Sequence, residues 1–202
     1  SWNDTLGNSV KFASLTVEYQ DDFVKYNFKD VHMRAQSGYY DAYTILYKIV
    51  DGKAKIAYLY DSEGAQRSNS DGYAQMLFDY NDKGQLAKIG FAGPDGNRVM
   101  TQAQFYELRL KYADSKNPMP IEIANYGKDG NLMNDAIGIA KTVYKLDDQD
   151  RRIEARHFGS DDALKIKNSR LLGVFSGMGA QTFFSAGAIT KYHYEGDERR
   201  PA

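Results

Sequence analysis

The 202-residue chain contains no cysteine, which excludes disulfides, thiolate catalysis and cysteine-ligated zinc. It has three histidines, His32, His157 and His193, and no two of them lie at the close spacing of a metal motif. It also lacks an excess of either charge, because 26 Lys and Arg against 27 Asp and Glu leave a net charge of −1. A nucleic-acid surface or a polybasic membrane binder needs surplus positive charge, so neither is expected. Proline is scarce at 4 and tryptophan occurs once. No His-x-x-x-His, Gly-x-Ser-x-Gly or phosphate loop is present. Gly177-Met178-Gly179 lacks the third glycine and the preceding apolar strand of a dinucleotide site. The expectation is a protein that is not an enzyme, with no catalytic, cofactor-binding or metal-ligating residues and no cofactor.

Long hydrophobic runs are missing too. No basic segment followed by an apolar one opens the chain, so no signal peptide is expected within it. The longest uncharged stretch, 171–189, carries Gly173, Gly177, Gly179, Gly187, Ser176, Gln181, Thr182 and Ser185. That polarity argues against a transmembrane segment.

What the chain does have is aromatic residues and turns: 16 Tyr, 10 Phe and 18 Gly. Tyr and Phe favour strands. Acidic turns recur at Asp61, Asp95, Asp129 and Asp161, a regular period of about 34 residues. Gly38-Tyr39, Gly72-Tyr73 and Gly138-Ile139 mark the same period. Between the markers the residues alternate. Tyr106, Leu108, Leu110 and Tyr112 share one face, with Glu107, Arg109 and Lys111 on the other, the pattern of a half-buried strand. Asp51-Gly52 is a two-residue hairpin signal. Asn81-Asp82-Lys83-Gly84 suits a turn closed by a left-handed glycine, and Asp150 stands in for that glycine in Asp147-Asp148-Gln149-Asp150. Repeat units of about 34 residues are expected at 38–71, 72–104, 105–137 and 138–170. A degenerate hairpin over 1–37 and a last strand over 188–195 complete a single domain. Covering the apolar face requires an antiparallel up-and-down sheet that curls, either into a barrel or into a spiral. The fold class expected is all-β.

Phe78-Asp79-Tyr80-Asn81-Asp82-Lys83-Gly84-Gln85-Leu86, ending in Gly93-Pro94-Asp95-Gly96, resembles the tyrosine-aspartate (YD, or RHS-like) repeats of bacterial secreted and surface proteins. Gly138-Ile139-Ala140-Lys141 through Tyr144-Lys145-Leu146-Asp147-Asp148 and Arg152-Ile153-Glu154 is similar to the same theme. The likeness covers about 38–170. It implies a β-hairpin array at the bacterial envelope or outside the cell, serving as scaffold, shell or adhesive surface, with no catalytic residues to carry over.

Binding candidates come from residues that the alternation does not absorb. Tyr80, Tyr106, Tyr112 and Tyr144 fall in the strand pattern and read as core, whereas Tyr39, Tyr40 and Tyr73 do not and are the surface candidates. A tyrosine presents an apolar face and a polar tip, which suits a protein or glycan partner. The insertion at 171–187 carries Phe175, Met178, Phe183 and Phe184. It reads either as a plug over the open end of the sheet or as a partner or membrane contact. Asn125 in register with His157 hints at inward polar groups, and hence at a small-molecule or polysaccharide binder with a tyrosine-lined interior. Association through exposed edge strands is a further expectation.

Overall fold

The computed structural model describes residues 12–114, 118–166 and 187–194. These form β1 (Ser14–Gln20), β2 (Phe23–Lys29), β3 (Thr44–Val50), β4 (Lys53–Tyr60), β5 (Gln75–Tyr80), β6 (Leu86–Ala92), β7 (Glu107–Lys111), β8 (Glu122–Tyr126), β9 (Lys141–Leu146), β10 (Arg152–Phe158) and β11 (Ile189–Lys191). No α-helix occurs among the described residues. No helix there is long and apolar enough to cross a membrane. The strands follow chain order in one up-and-down sheet in which β1 and β11 are not neighbours, so the sheet is open and not a barrel. The all-β, antiparallel expectation holds in this open form.

Contacts divide the described chain into two compact units. One holds residues 12–79 and 90–102; the other holds 80–89, 103–114, 118–166 and 187–194. In the first, β1–β2–β3–β4–β5 pair antiparallel, with Val17 opposite Tyr26 and Tyr26 opposite Ile45. Its buried centre is Phe28, Ile45, Leu59, Tyr73 and Phe91. In the second, β7–β8–β9–β10–β11 pair the same way, around Ile89, Leu108, Ala124, Ala140 and Ala155. Each large apolar side chain removed from water in this way contributes about 1.5–3 kcal/mol. Glu107 and Leu108 are adjacent and yet both buried. Strict alternation of buried and exposed residues therefore fails at the start of β7.

One five-residue turn is used throughout. The N–H of its first residue donates to the carbonyl of the fifth, and the N–H of the fourth to the carbonyl of the first. Among the described residues nine turns share both bonds: 30–34, 61–65, 69–73, 81–85, 93–97, 127–131, 135–139, 147–151 and 159–163. In each the fourth residue has positive φ, from 58° at Asp162 to 90° at Gly72, with Gly84 at 78° and Asp150 at 61° as the turn pattern requires. In six of them an Asp or Asn at the first place accepts N–H bonds from the third and fifth residues, as Asp61 does from Glu63 and Ala65 at 2.9 Å each. The other three begin with glycine. There an Asp at the third place, Asp95, Asp129 or Asp161, caps the fifth residue instead. A Cβ at Gly127 would lie 2.8 Å from the Asp129 carboxylate, and one at Gly159 would lie 2.6 Å from that of Asp161. The two capping modes therefore compete for the same space.

The four acidic turns are equivalent places in the fold, each following its bridge residue, but their aspartates are not. Asp61 holds the first place of its turn, whereas Asp95, Asp129 and Asp161 hold the third. The bridges correspond too, where each hairpin passes into its link, at Lys29, Tyr60, Ala92, Tyr126 and Phe158.

Candidate functional site

Two neighbouring links of the first unit meet at their second turns. The turn at 38–42 departs from the common form. Gly38 N–H still donates to the Ala42 carbonyl at 2.7 Å, but the closing bond runs from Ala42 N–H to the Tyr39 carbonyl. Two successive residues, Tyr40 and Asp41, have φ of 57° and 56°. A bulky residue held there costs about 1–3 kcal/mol. Gly38 is required for packing, because a Cβ would lie 2.2 Å from the Phe28 ring. Phe28 in turn meets Tyr39 edge-on, with centroids 5.7 Å apart.

The facing turn, 69–73, docks against it through polar groups. Asn69 Nδ2 donates to the Tyr40 carbonyl at 3.2 Å. Asn69 Oδ1 accepts from the N–H groups of Asp71 and Tyr73. The Ser70 hydroxyl donates to the Asp41 carboxylate. Asp71 follows, with its carbonyl bound by Gln102 N–H at 2.8 Å. Burial, and then the charge of Asp41, raises the Asp71 pKa above its ordinary value. Among the described residues none forms an ion pair with Asp71.

Nearby phenols of the first unit also have raised pKa values. Tyr40 is pushed up to about 12, by burial and then by Tyr39. Tyr47 is raised by burial, then by Tyr40, Tyr26 and Tyr39. Tyr26 and Tyr47 pack edge-on with centroids 5.2 Å apart. Tyr73 is wholly buried against Phe91, centroids 4.8 Å apart. Burial raises its pKa against the lowering effect of the Asn69 side chain, and Asp71, Tyr40 and Asp41 add smaller upward contributions. The Tyr73 hydroxyl nevertheless makes no hydrogen bond. The Asn69 oxygen is taken by two backbone donors, and one N–H of its amide is directed at the Tyr40 carbonyl.

The three tyrosine candidates thus come together in the first unit, in different states. Tyr39 is 45% exposed, Tyr40 is half-buried, and Tyr73 is part of the core rather than the surface. Phe175, Met178, Phe183 and Phe184 lie outside the described residues. Asn125 and His157 are buried in the second unit, where Asn125 Nδ2 donates to the Ile139 carbonyl at 2.9 Å and His157 Nδ1 lies 2.9 Å from Thr142 Oγ1. The first ties β8 to the following link, and the second ties β10 to β9.

Two features escape a reading of the sequence. Asp41 and Ser70 meet although they are 29 positions apart in the chain, with only a non-glycine residue in a glycine-type conformation to mark the place. In the second unit, guanidiniums lie over rings: Arg109 over Tyr126 at 3.9 Å, Arg152 over Tyr144 at 3.7 Å and Arg151 over Tyr194 at 4.7 Å. Arg152 also donates to the Pro120 carbonyl, and Tyr194 Oη donates to the Arg152 carbonyl at 2.7 Å. The first two of these pairs sit on adjacent strands near the diagonal, a relation visible only once register is known. Among the described residues no three His, Asp or Glu gather as a metal site. No family model and no curated protein matches the chain.

Proposed function

We propose that this chain is a hairpin-repeat module of the bacterial envelope or of secreted proteins, related in kind to tyrosine-aspartate repeats, that works as a binding scaffold and not as an enzyme. The unit is a hairpin plus its link, a repeat of about 32 residues when counted from bridge to bridge. The observation that supports this reading is the reuse of one capped turn at nine places among the described residues. Backbone bonds and a single Asp or Asn hold the frame, which leaves the side chains between them free to differ. That division suits a module whose loops recognise while its frame stays constant. Cell fractionation of the producing bacterium tests the reading. Recovery in envelope or medium, with loops cleaved by added protease on intact cells, is the expected result; a purely cytoplasmic, protected pool would overturn it.

A second reading, a binder of small molecules, draws on the Tyr39, Tyr40, Asp41 and Asp71 group. The open sheet moves that site from a barrel interior to the ends of two links.

A further inference from the structure

We propose that β1 is a self-association strand: two copies of this chain join edge to edge through Leu15, Val17 and Tyr19, antiparallel and centred on Val17, as a two-fold dimer. The inference goes beyond the scaffold reading, and it concerns the purified protein wherever the cell places it.

Register shows what this edge offers. Phe28 N–H donates to the Tyr43 carbonyl and Ile49 N–H to that of Asp22, so the even-numbered residues of β2 turn their backbone groups to β3. Bonded pairs alternate with non-bonded ones along an antiparallel ladder. The odd-numbered Phe23, Lys25 and Asn27 therefore bond β1, at their partners Gln20, Glu18 and Thr16. That directs the N–H and C=O groups of Leu15, Val17 and Tyr19 to the open side, where no described strand lies beside β1. The side chains point to the same edge. The row Leu59–Ile45–Tyr26–Val17 crosses four strands in register; it is wholly buried at Leu59 and Ile45 but 37% exposed at Val17. On the same face Leu15 is 38% and Tyr19 81% exposed. Edge strands are commonly blunted by Lys, Pro or a bulge, and β1 has none of these.

A second copy suits the edge because the edge is its own complement. Setting Val17 against the partner's Val17 places Leu15 opposite the partner's Tyr19 and Tyr19 opposite the partner's Leu15, a favourable aromatic–aliphatic pair. Each outward N–H then meets an outward carbonyl. On the other face Glu18 comes opposite the partner's Thr16, so like charges do not oppose each other. Glu18 also accepts from the Asn27 amide at 2.8 Å and pairs with Lys25 at 3.8 Å within its own copy, which compensates the single charge on the strand. The two-fold axis stands perpendicular to the sheet, so the apolar rows of both copies lie on one side and run into each other at Val17.

The test is the mass of the whole chain by sedimentation and light scattering from about 1 μM to about 1 mM, with circular dichroism to establish that each variant is folded. The expected result is a concentration-dependent dimer. Val17→Pro removes an outward N–H without touching a bond between β1 and β2, and Tyr19→Lys sets a charge on the open edge. Each should weaken the dimer about tenfold or more. Ile166→Lys, at an exposed apolar position of the second unit, should leave it unchanged. Because the chain has no cysteine, Val17→Cys reads the geometry directly. Bonded antiparallel partners have Cα atoms about 5.5 Å apart, within reach of a disulfide, so mild oxidation should cross-link this variant. Glu18→Cys, whose copies lie on the diagonal at about 7–8 Å, should cross-link far less. The proposal is overturned if the chain stays monomeric at about 1 mM, if both β1 variants leave the dimer intact, or if the two cysteine variants cross-link equally. Growth into larger assemblies, which head-to-tail pairing of β1 with β11 would give, overturns it as well. Each of these outcomes leaves the scaffold reading standing, because that reading rests on cell location.

Discussion

Gly38 and Phe28 occupy one volume, and this can be measured as a coupling. A methyl group on Gly38 would lie 2.2, 2.4 and 2.6 Å from three atoms of the Phe28 ring, far inside ordinary contact. Phe28 is only 1% exposed, so the ring has no open side to move into. Overpacking of this kind costs about 1–3 kcal/mol, and Gly38→Ala is expected at the upper end. Phe28→Ala alone removes a buried aromatic and costs about 3–5 kcal/mol. In the double variant the ring that opposes the methyl is gone, and the methyl fills part of the space left behind. Its cost should therefore fall below the sum of the single costs by about 1 kcal/mol or more. Urea denaturation of the four proteins, followed by far-ultraviolet circular dichroism, gives the cycle. Additivity within about 0.5 kcal/mol would show that the ring does not lie over Gly38, and the packing of the 38–42 turn would have to be redrawn.

Three other outcomes follow from the charges and rings. The Arg34 N–H holds Asp30, and the Ala65 N–H holds Asp61, below the ordinary carboxylate range, as the Asn131 N–H does for Asp129. A depressed folded pKa contributes stability above the unfolded value of 3.8 that is lost as pH falls through the folded one. Thermal midpoints should therefore hold from neutral pH down to mild acid and drop below about pH 4; a midpoint unchanged at about pH 2 would contradict the capping role. Asp71 has the opposite sign, since its raised pKa makes the ionised form unfavourable in the fold. Asp71→Asn should raise the melting temperature at neutral pH, with the gain shrinking as pH falls through the Asp71 transition, and a lowered melting temperature there would sink this account. Arg152→Lys removes a planar cation from the Tyr144 face and should cost about 1–2 kcal/mol in chemical denaturation, whereas a purely charge-based role would leave the lysine variant unchanged.

What can be read from sequence here is what depends on neighbours in the chain. Alternation at Tyr106–Tyr112 marks β7, and Asp51-Gly52 and Asn81–Gly84 mark turns, because a hairpin is specified by a few adjacent residues. The same locality misleads at Asp61. An aspartate at the first place of the turn and one at the third look alike in sequence, and only the carboxylate over Gly127 or Gly159 shows that they are alternatives. Counting Asp61 and Asp95 as equivalent makes their interval longer than the one between the corresponding bridges at Tyr60 and Ala92. Tyr73 fails for a different reason. Its place just after a turn glycine suggests a surface position, but the link carries it back against Phe91, and the strand pattern contains no information about where a link folds. Asp41 and Asp71 lie beyond both kinds of signal. Each sits in the second turn of its own link, and those turns meet, Ser70 against Asp41, only because successive hairpins lie side by side in the sheet. A frame specified locally at every turn thus creates contacts between links, such as Ser70 with Asp41, that no local pattern encodes.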